Sequence, residues 1–153
     1  MSKVVKFGGS SLASADQFKK VKEIITADKD RVYCVPSAPG KRYSNDTKVT
    51  DMLYGCYDLA AKGKKYEKAL ADIKARYDEI IDGLGLKLSL DAEFKKISAD
   101  FKAKIGVDYA ASRGEYLNGR IMAAYLGYDF IDPADVILFF DDGEFDSEHT
   151  NKR

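Results

Sequence analysis

The sequence contains few of the residues that carry acid–base, thiol or metal chemistry. Of its 153 residues, one is histidine and two are cysteine. Cys34 and Cys56 lack the spacing of a metal site and fall on apolar patterns, which predicts reduced packing residues rather than a disulfide or a nucleophile. His149 lies near the end of the sequence among polar neighbours, which argues against a mechanism that depends on imidazole. Chemistry in this chain must therefore use other side chains.

The chain also lacks an excess of charge and any long apolar run. Its 25 basic and 25 acidic residues balance, so it has no electrostatic footprint for nucleic acid or for an anionic membrane. The longest apolar runs, such as residues 136–140, are far shorter than the ~18 residues of a membrane span, and the amino terminus has no signal-peptide core. We therefore expect one folded domain in the cytoplasm, with neither nucleic acid nor membrane as a partner.

What the sequence does contain is an alternation of strand and helix patterns. Lys3–Phe7 and Arg31–Val35 are apolar runs that predict parallel strands. Between them, Ser14 followed by Gln17 is a capping-box pattern that predicts the start of a helix. Residues 37–48 are rich in proline, glycine and Asn-Asp, which predicts a loop at the carboxyl end of the second strand.

Four more helices are predicted from apolar side chains spaced three and four apart, each ending at a glycine. The stripes run from Val49 to Leu59, Tyr66 to Ile81, Phe94 to Ile105 and Ala110 to Ala124, and stop at Gly63, Gly83, Gly106 and Gly127. Two strands, Tyr128–Ile131 and Val136–Phe140, are predicted to follow, before a final helix capped by Asp146 or Ser147. The pattern is that of a mainly parallel α/β fold, and a helix starting so late suggests part of a longer chain.

The turn after the first strand, KFGGSS, places Lys6 beside two glycines. The simplest interpretation is a tight strand-to-helix turn with a solvated lysine, because two adjacent glycines are a weak motif. The alternative is a phosphate cradle, in which the N–H groups of Gly8 and Gly9 face an anion together with the Ser10 hydroxyl and the Lys6 ammonium. The turn is neither a Walker A loop nor a GxGxxG dinucleotide turn.

Three other polar clusters lie at predicted strand ends and helix starts. Ser37 leaves the carboxyl end of the second strand, which is the edge where open α/β sheets bind ligands. Thr50 opens the next helix, and Glu115 follows Gly114, a glycine that interrupts a helical pattern. Each residue alone has an ordinary explanation, as a turn former, a first-turn residue or a solvated charge. Together with the glycine turn they form four clusters where a site is expected.

In combination, these segments resemble the aspartokinases, within the amino acid kinase superfamily. The similar segments are KFGGSS (6–11), PSAPGK (36–41), KVTDML (48–53) and SRGEYLNGRIMAAYLG (112–127), which extend over nearly the whole chain. Pro36 stands where an aliphatic residue is usual, and Ser10 where threonine is commoner. The resemblance implies a three-layer αβα sandwich of the carbamate kinase-like type with a helical insertion, and residues 1–153 as the amino-terminal, substrate-side part of the kinase domain.

The resemblance also implies an activity and the groups that bind the nucleotide. The activity is ATP-dependent phosphorylation of the 4-carboxylate of L-aspartate, a step of amino acid biosynthesis. Mg²⁺ would be held mainly through the ATP phosphates, with no metal ligand on the protein. Lys6 would be the catalytic residue that neutralises charge on the transferred phosphoryl group, while Gly8, Gly9 and Ser10 would face the ATP phosphates.

The acceptor site follows from the same resemblance. Ser37, Thr50 and Glu115 would hold aspartate, with Glu115 taking its ammonium group. A carboxylate with a pKa near ~3.9 is already ionised at neutral pH, so its attack on phosphorus needs no general base. The reaction requires two anions to be positioned and their charge neutralised, which fits a chain almost without histidine.

The resemblance leaves two alternatives open. Family segments for adenine, ribose and the substrate α-carboxylate, and the regulatory ACT domains, would lie downstream, so we expect the isolated chain to be weakly active or inactive and its parent to be a homo-oligomer. One alternative is a superfamily kinase for glutamate, acetylglutamate or a nucleoside monophosphate, although a nucleotide acceptor calls for basic residues where SRGE offers Glu115. The other is a non-catalytic half-domain that pairs with a partner chain through an apolar sheet edge.

Overall fold

Two strands and five long helices form most of the chain, in the order that the sequence predicts. The computed structural model describes all residues from Met1 to Arg153. The elements are β1 (Lys3–Phe7), a 3-10 turn (Gly9–Leu12), α1 (Ala15–Thr26), β2 (Arg31–Pro36), α2 (Val49–Ala61), α3 (Glu67–Gly83), α4 (Asp91–Lys102), α5 (Val107–Leu126), α6 (Pro133–Val136) and α7 (Ser147–Thr150). The predicted cap of α1 is confirmed, because Ser14 Oγ accepts a hydrogen bond from the Gln17 N–H at 3.4 Å.

The sheet consists of β1 and β2, which pair in parallel as predicted. Val5 and Cys34 are opposite each other and pack against the hydrophobic core. The other face of the sheet carries Val4, Tyr33 and Val35, which are 68%, 57% and 48% exposed. Helices therefore cover only one face of the sheet. One helical layer and the sheet itself are present, which are two of the three predicted layers.

The core is built by the helices rather than by the sheet. Of its 21 buried residues, all but Leu12 and Leu90 lie within α1 to α5. These are the apolar stripes that the three-and-four spacing predicts, and each stripe lies toward the common core. The helical part of the fold is thus specified locally by the sequence pattern.

Both cysteines are free thiols, as predicted. Cys56 is buried within α2, and Cys34 is half-buried on the face of β2 that packs against the core. Burial raises the pKa of each thiol to about 11. Both thiols are therefore protonated at neutral pH, which is the unreactive form.

At the ends of α3 and α4, the residue with a positive φ is not the predicted glycine. Gly83 remains inside α3, where a Cβ atom would come within 2.6 Å of the Ala15 Cβ, and the left-handed position falls at Gly85. Past the end of α4 the left-handed residue is Lys104, while Gly106 precedes α5. Gly83 is therefore needed for close packing against α1 rather than for a positive φ.

The two later strands were predicted wrongly. Residues 128–131 are irregular, Val136 ends α6, and Phe139 makes only one antiparallel bridge, with Phe145. A strand needs a neighbouring backbone with which to exchange hydrogen bonds, and neither segment pairs with β1 or β2. The aromatic side chains pack instead: the Phe130 ring meets the Tyr116 ring edge-on, with centroids 5.5 Å apart.

The predicted cap of the last helix is confirmed. Asp146 caps α7 and accepts a hydrogen bond from the His149 N–H at 3.0 Å. The same carboxyl group lies 2.7 Å from the His149 ring, which is otherwise mostly exposed. Among all the helices, none combines the length and hydropathy that crossing a bilayer requires.

Candidate functional site

The glycine turn and the loop after β2 meet at one edge of the sheet. The two strands are parallel, so Phe7 and Pro36 pair at their carboxyl ends and both chains leave the sheet together. The Ser37 N–H donates to the Phe7 carbonyl at 3.0 Å, and the Gly40 N–H donates to the Gly9 carbonyl at 2.8 Å. The two sequence motifs therefore form one structural unit.

Lys6 is the charged side chain at this edge. Its Nζ donates a hydrogen bond to Ser37 Oγ at 3.2 Å, and it forms no ion pair with a carboxylate. A Cβ atom built on Gly8 would have no heavy atom within 4 Å. An ammonium without a counterion thus lies near backbone that is open to an incoming group, which is the arrangement expected of an anion site.

The contact between the two loops requires glycine on both sides. A Cβ atom on Gly40 would lie 2.6 Å from the carbonyl carbon of Gly9, and one on Gly9 would lie 2.9 Å from the Ala38 oxygen. Both clashes are with backbone, which cannot rotate away as a side chain can. The two glycines therefore set the distance between the loops.

We expect Gly40→Ala to lower the free energy of unfolding by about 2 kcal/mol, because the added methyl forces the two loops apart. Gly55→Ala is the matched control: Gly55 lies within α2, and a Cβ there meets nothing within 4 Å. That control should be neutral or gain up to about 1 kcal/mol through helix propensity. Urea unfolding monitored by circular dichroism measures both, and equal effects would contradict the close-contact argument.

Helix α5 brings the third cluster to the same place. The helix runs unbroken from Val107 to Leu126 and includes Gly114, as the apolar stripe from Ala110 to Ala124 predicts. Gly114 permits close approach, since a Cβ there would lie 2.8 Å from the Ala38 Cβ and 3.9 Å from Thr50 Oγ1. Helix α5 can therefore approach both the loop after β2 and the start of α2.

Glu115 completes the cluster. Its Oε1 accepts a long hydrogen bond of 3.4 Å from the Ala38 N–H, and the side chain is exposed. Three of the predicted residues, Lys6, Ser37 and Glu115, are linked through the Ser37–Ala38 segment, and Thr50 lies beside Gly114 within the same group. Gly8 and Ser10 are exposed in the adjoining turn. The chain has no group of three or more His, Cys, Asp or Glu side chains that could hold a metal ion.

A comparison with protein families identifies the family of the chain. The model of the Amino acid kinase family matches residues 1–152. The chain belongs to the amino acid kinase family. The parallel α/β architecture of this member of the amino acid kinase family is therefore the one that its sequence motifs implied.

Individual relatives are aspartokinases. Aspartokinase 3 of Bacillus subtilis (strain 168) is 40% identical over an alignment of 149 residues, and the match covers 90% of this chain and 33% of that protein. The crystal structure of Clostridium acetobutylicum aspartate kinase superposes with a TM-score of 0.92 at 46% identity, covering 97% of this chain and 34% of that one. The chain thus spans about a third of the length of the relatives that it matches.

A more distant structure shows the fold alone. Aspartokinase III of E. coli, in complex with aspartate and ADP, superposes with a TM-score of 0.76 at 21% identity, covering 95% of this chain and 35% of that one. The arrangement of strands and helices is thus retained even where most side chains differ.

Three buried side chains of this amino acid kinase family member support the candidate site, and the sequence analysis did not identify them. Each donates to a backbone carbonyl of a site segment: Arg76 Nη2 to Gly40 at 3.0 Å, Tyr77 Oη to Gly114 at 2.8 Å, and Asn118 Nδ2 to Ser37 at 2.6 Å. Their positions on the apolar stripes of α3 and α5 could have identified them, because a buried polar group on such a stripe needs a hydrogen-bond partner.

A buried ion pair closes the loop that follows Gly40. Asp46 accepts hydrogen bonds from Arg42 Nε at 2.8 Å and from Arg76 Nη1 at 3.1 Å. The hydrogen bond from Arg42 holds the pKa of Asp46 well below its usual range, whereas burial lowers the pKa of Arg76. Burial also raises the pKa of Tyr77 well above its usual value, with the Glu115 charge adding to the effect.

A cavity of about 340 Å³ lies beside this ion pair rather than at the predicted site. Its lining residues are Arg42, Asp46, Thr47, Met52, Asp72, Ala75, Arg76 and Glu79. None of the residues that the sequence analysis assigned to ATP or aspartate is among them. The candidate site is instead an open edge of the sheet, where Lys6 and the glycine turn are exposed.

Proposed function

We propose that residues 1–153 form the acceptor side of an aspartate kinase domain, which transfers the γ-phosphoryl group of ATP to the 4-carboxylate of L-aspartate. The observation that carries this proposal is the 3.2 Å contact between Lys6 Nζ and Ser37 Oγ. It joins the residue assigned to the phosphoryl group with a residue assigned to aspartate. Relatives that are 40% and 46% identical are aspartokinases, which supports the same assignment.

On the nucleotide side, Lys6 is the cation and the glycine turn supplies peptide N–H groups. The open space beside Gly8 is where a phosphate would approach, with Gly9 and Ser10 adjoining it. Without a carboxylate partner, Lys6 can neutralise charge on the transferred group. Mg²⁺ would be bound mainly through the ATP phosphates and would neutralise phosphate charge there.

On the acceptor side, Ser37 adjoins Ala38, whose N–H donates to Glu115, and Thr50 Oγ1 lies 3.9 Å from a Cβ atom built on Gly114. The hydroxyl groups can donate to a substrate carboxylate, and Glu115 can accept from the substrate ammonium. The 4-carboxylate is ionised at neutral pH, so its oxygen attacks the γ-phosphorus directly while the bond to the β-phosphate oxygen breaks and ADP leaves. No proton is transferred in this step, so no histidine is needed.

We expect Glu115→Ala to weaken the binding of L-aspartate to this chain by about 10- to 100-fold, because a charge-assisted hydrogen bond to the ammonium is lost. Isothermal titration calorimetry of the wild-type and variant chains with L-aspartate measures the effect. Glu23→Ala, which removes an exposed carboxylate from α1, is the control and should bind as the wild type does. Equal affinity of the wild type and Glu115→Ala would remove Glu115 from the site.

The same titrations with L-glutamate, N-acetyl-L-glutamate and UMP decide between kinases of the superfamily. Binding of UMP without binding of L-aspartate would favour a nucleotide acceptor. The exposed face of Val4, Tyr33 and Val35 favours a second candidate function, in which the chain pairs with a partner chain without catalysis. Absence of binding to all four ligands, with a stable assembly in light scattering, would support that candidate.

A further inference from the structure

The segment Ser37–Gly40 connects the two halves of the proposed site, and its backbone groups have partners on two sides. Three N–H groups point toward the site: those of Ser37, Ala38 and Gly40 donate to Phe7, Glu115 and Gly9. Three carbonyl groups accept from the helical layer: those of Ser37, Pro39 and Gly40 bond to Asn118, Val49 and Arg76. The segment is therefore held by its carbonyl groups while its N–H groups face the site.

Asn118 makes one of these contacts but leaves one of its own buried polar atoms without a partner. Its side chain is fully buried in α5, and its Nδ2 donates to the Ser37 carbonyl at 2.6 Å. Its Oδ1 is buried without a hydrogen-bond partner. A half-satisfied buried amide is less favourable for stability than an apolar side chain of the same size. Stability alone therefore does not explain an asparagine at this position.

Arg76 holds the other end of the segment. Its guanidinium donates to the Gly40 carbonyl at 3.0 Å and to the Thr47 carbonyl at 3.1 Å, so that it joins the two ends of the loop between them. Arg76 is only 5% exposed, and its Nε has no hydrogen-bond partner. The residue also lines the cavity of about 340 Å³ described above, so a small solute can reach the space beside it.

We propose that Asn118 and Arg76 are positioning residues for the proposed aspartate site. From α5 and α3 they hold the Ser37 and Gly40 carbonyl groups, and thereby keep Ser37 Oγ beside Lys6 and the Ala38 N–H beside Glu115. Neither residue reacts with or contacts a substrate. The expected effect on aspartate binding rests on the proposed function. The expected effect on the conformation of the segment rests on the hydrogen bonds to its backbone alone.

The first test replaces Asn118 with leucine, which removes both the donor and the unpaired oxygen. We expect the melting temperature to stay within a few degrees of the wild type. In contrast, NMR should show the amide hydrogens of Ala38 and Gly40 exchanging with solvent at least ~10-fold faster than in the wild type, while those of α3 and α4 change little. Affinity for L-aspartate should fall at least ~10-fold. The core variant Leu90→Ala is the control for a purely structural effect, and should speed exchange across the helices as well.

The second test uses chemical rescue at position 76. Arg76→Ala should speed exchange of the Gly40 amide selectively, and millimolar ethylguanidinium should restore its protection by occupying the space left in the cavity wall. Potassium chloride at the same ionic strength should not restore it. Lys74→Ala, on the same helix, removes a cation that pairs with Asp78 and Asp91 and should leave the Gly40 amide unchanged. If Arg76→Ala does not fold, Arg76→Lys is measured instead, with the same expected loss at Gly40.

The results separate the two proposals. Selective loss of protection at Ala38 and Gly40 supports positioning, even if the wild-type chain binds no L-aspartate and the proposed function fails on that count. Wild-type protection at both amides in Asn118→Leu and in the Arg76 variant overturns the positioning proposal. So does a loss of protection spread over all helices as in Leu90→Ala, which would show a stabilising role alone.

Discussion

Lys6→Ala is expected to lower the rate of phosphoryl transfer by about 100- to 1,000-fold, the usual effect of removing one group that stabilises charge in a transition state. Two anions must meet in the proposed reaction, and Lys6 is the ammonium beside Ser37, without a carboxylate partner. The assay requires a complete kinase. Residues 1–152 therefore replace the matching segment of Aspartokinase 3 of Bacillus subtilis in a chimeric protein. A coupled assay then follows the release of ADP.

Lys3→Ala is the matched control for this experiment. Lys3 lies at the other end of β1 and pairs with Asp28 at 2.6 Å, so its loss should leave turnover unchanged. In Lys6→Ala we expect kcat to fall while KM for aspartate changes little, because the ammonium acts on the transferred group. Normal turnover in that variant would show that the Lys6 assignment is wrong. A large rise in KM with normal kcat would assign Lys6 to substrate binding instead.

Asp46→Ala is expected to lower the free energy of unfolding by about 3–5 kcal/mol, which is the cost of leaving a buried charge without its partner. The side chains of Arg76 and Asp46 are only 6% and 8% exposed, and their contact is 3.1 Å. Removing the carboxylate leaves the Arg76 guanidinium buried and unpaired, and it also releases Arg42. Chemical unfolding in urea gives the change. Asp72→Ala, whose carboxylate pairs with Lys68 at the surface, should cost less than about 1 kcal/mol.

The same ion pair predicts a dependence of stability on pH. The hydrogen bond from Arg42 lowers the pKa of Asp46 in the folded chain. A carboxyl group with a depressed pKa contributes fully above its unfolded pKa of about 3.9, and this contribution is lost as the pH falls through the folded value. The difference in stability between the wild type and Asp46→Ala should therefore shrink below about pH 4. A difference that stays constant from pH 7 to pH 3 would contradict this assignment.

The helices were predictable because the signals that specify them are local. Each stripe of apolar residues is visible in a window of two or three turns, and Ser14 and Asp146 mark helix starts through hydrogen bonds to nearby backbone. The strands near the end were not predictable in this way. Aromatic runs such as residues 136–140 favour strands only when another backbone lies alongside, and β1 and β2 pair only with each other.

Part of the candidate site was predictable for a topological reason. Parallel strands bring their carboxyl ends to one edge, so KFGGSS and PSAPGK had to meet if both runs were strands. The roles of Gly114 and Gly40 were not apparent, because a close approach between backbones appears only when the helices are packed. Arg76 was also missed, since its partners are carbonyl groups of residues 40 and 47, distant from it along the chain.

The amino-acid sequence by itself determined the helices, the parallel pair of strands, the reduced state of the cysteines and the location of the polar clusters, because periodicity and turn chemistry act over a few residues. Only the tertiary structure decided how closely those clusters approach and which side chains hold them. Distances such as Lys6 Nζ to Ser37 Oγ, and buried donors such as Asn118, depend on packing between elements far apart in the chain. The partners that meet in such packing leave no local pattern in the sequence.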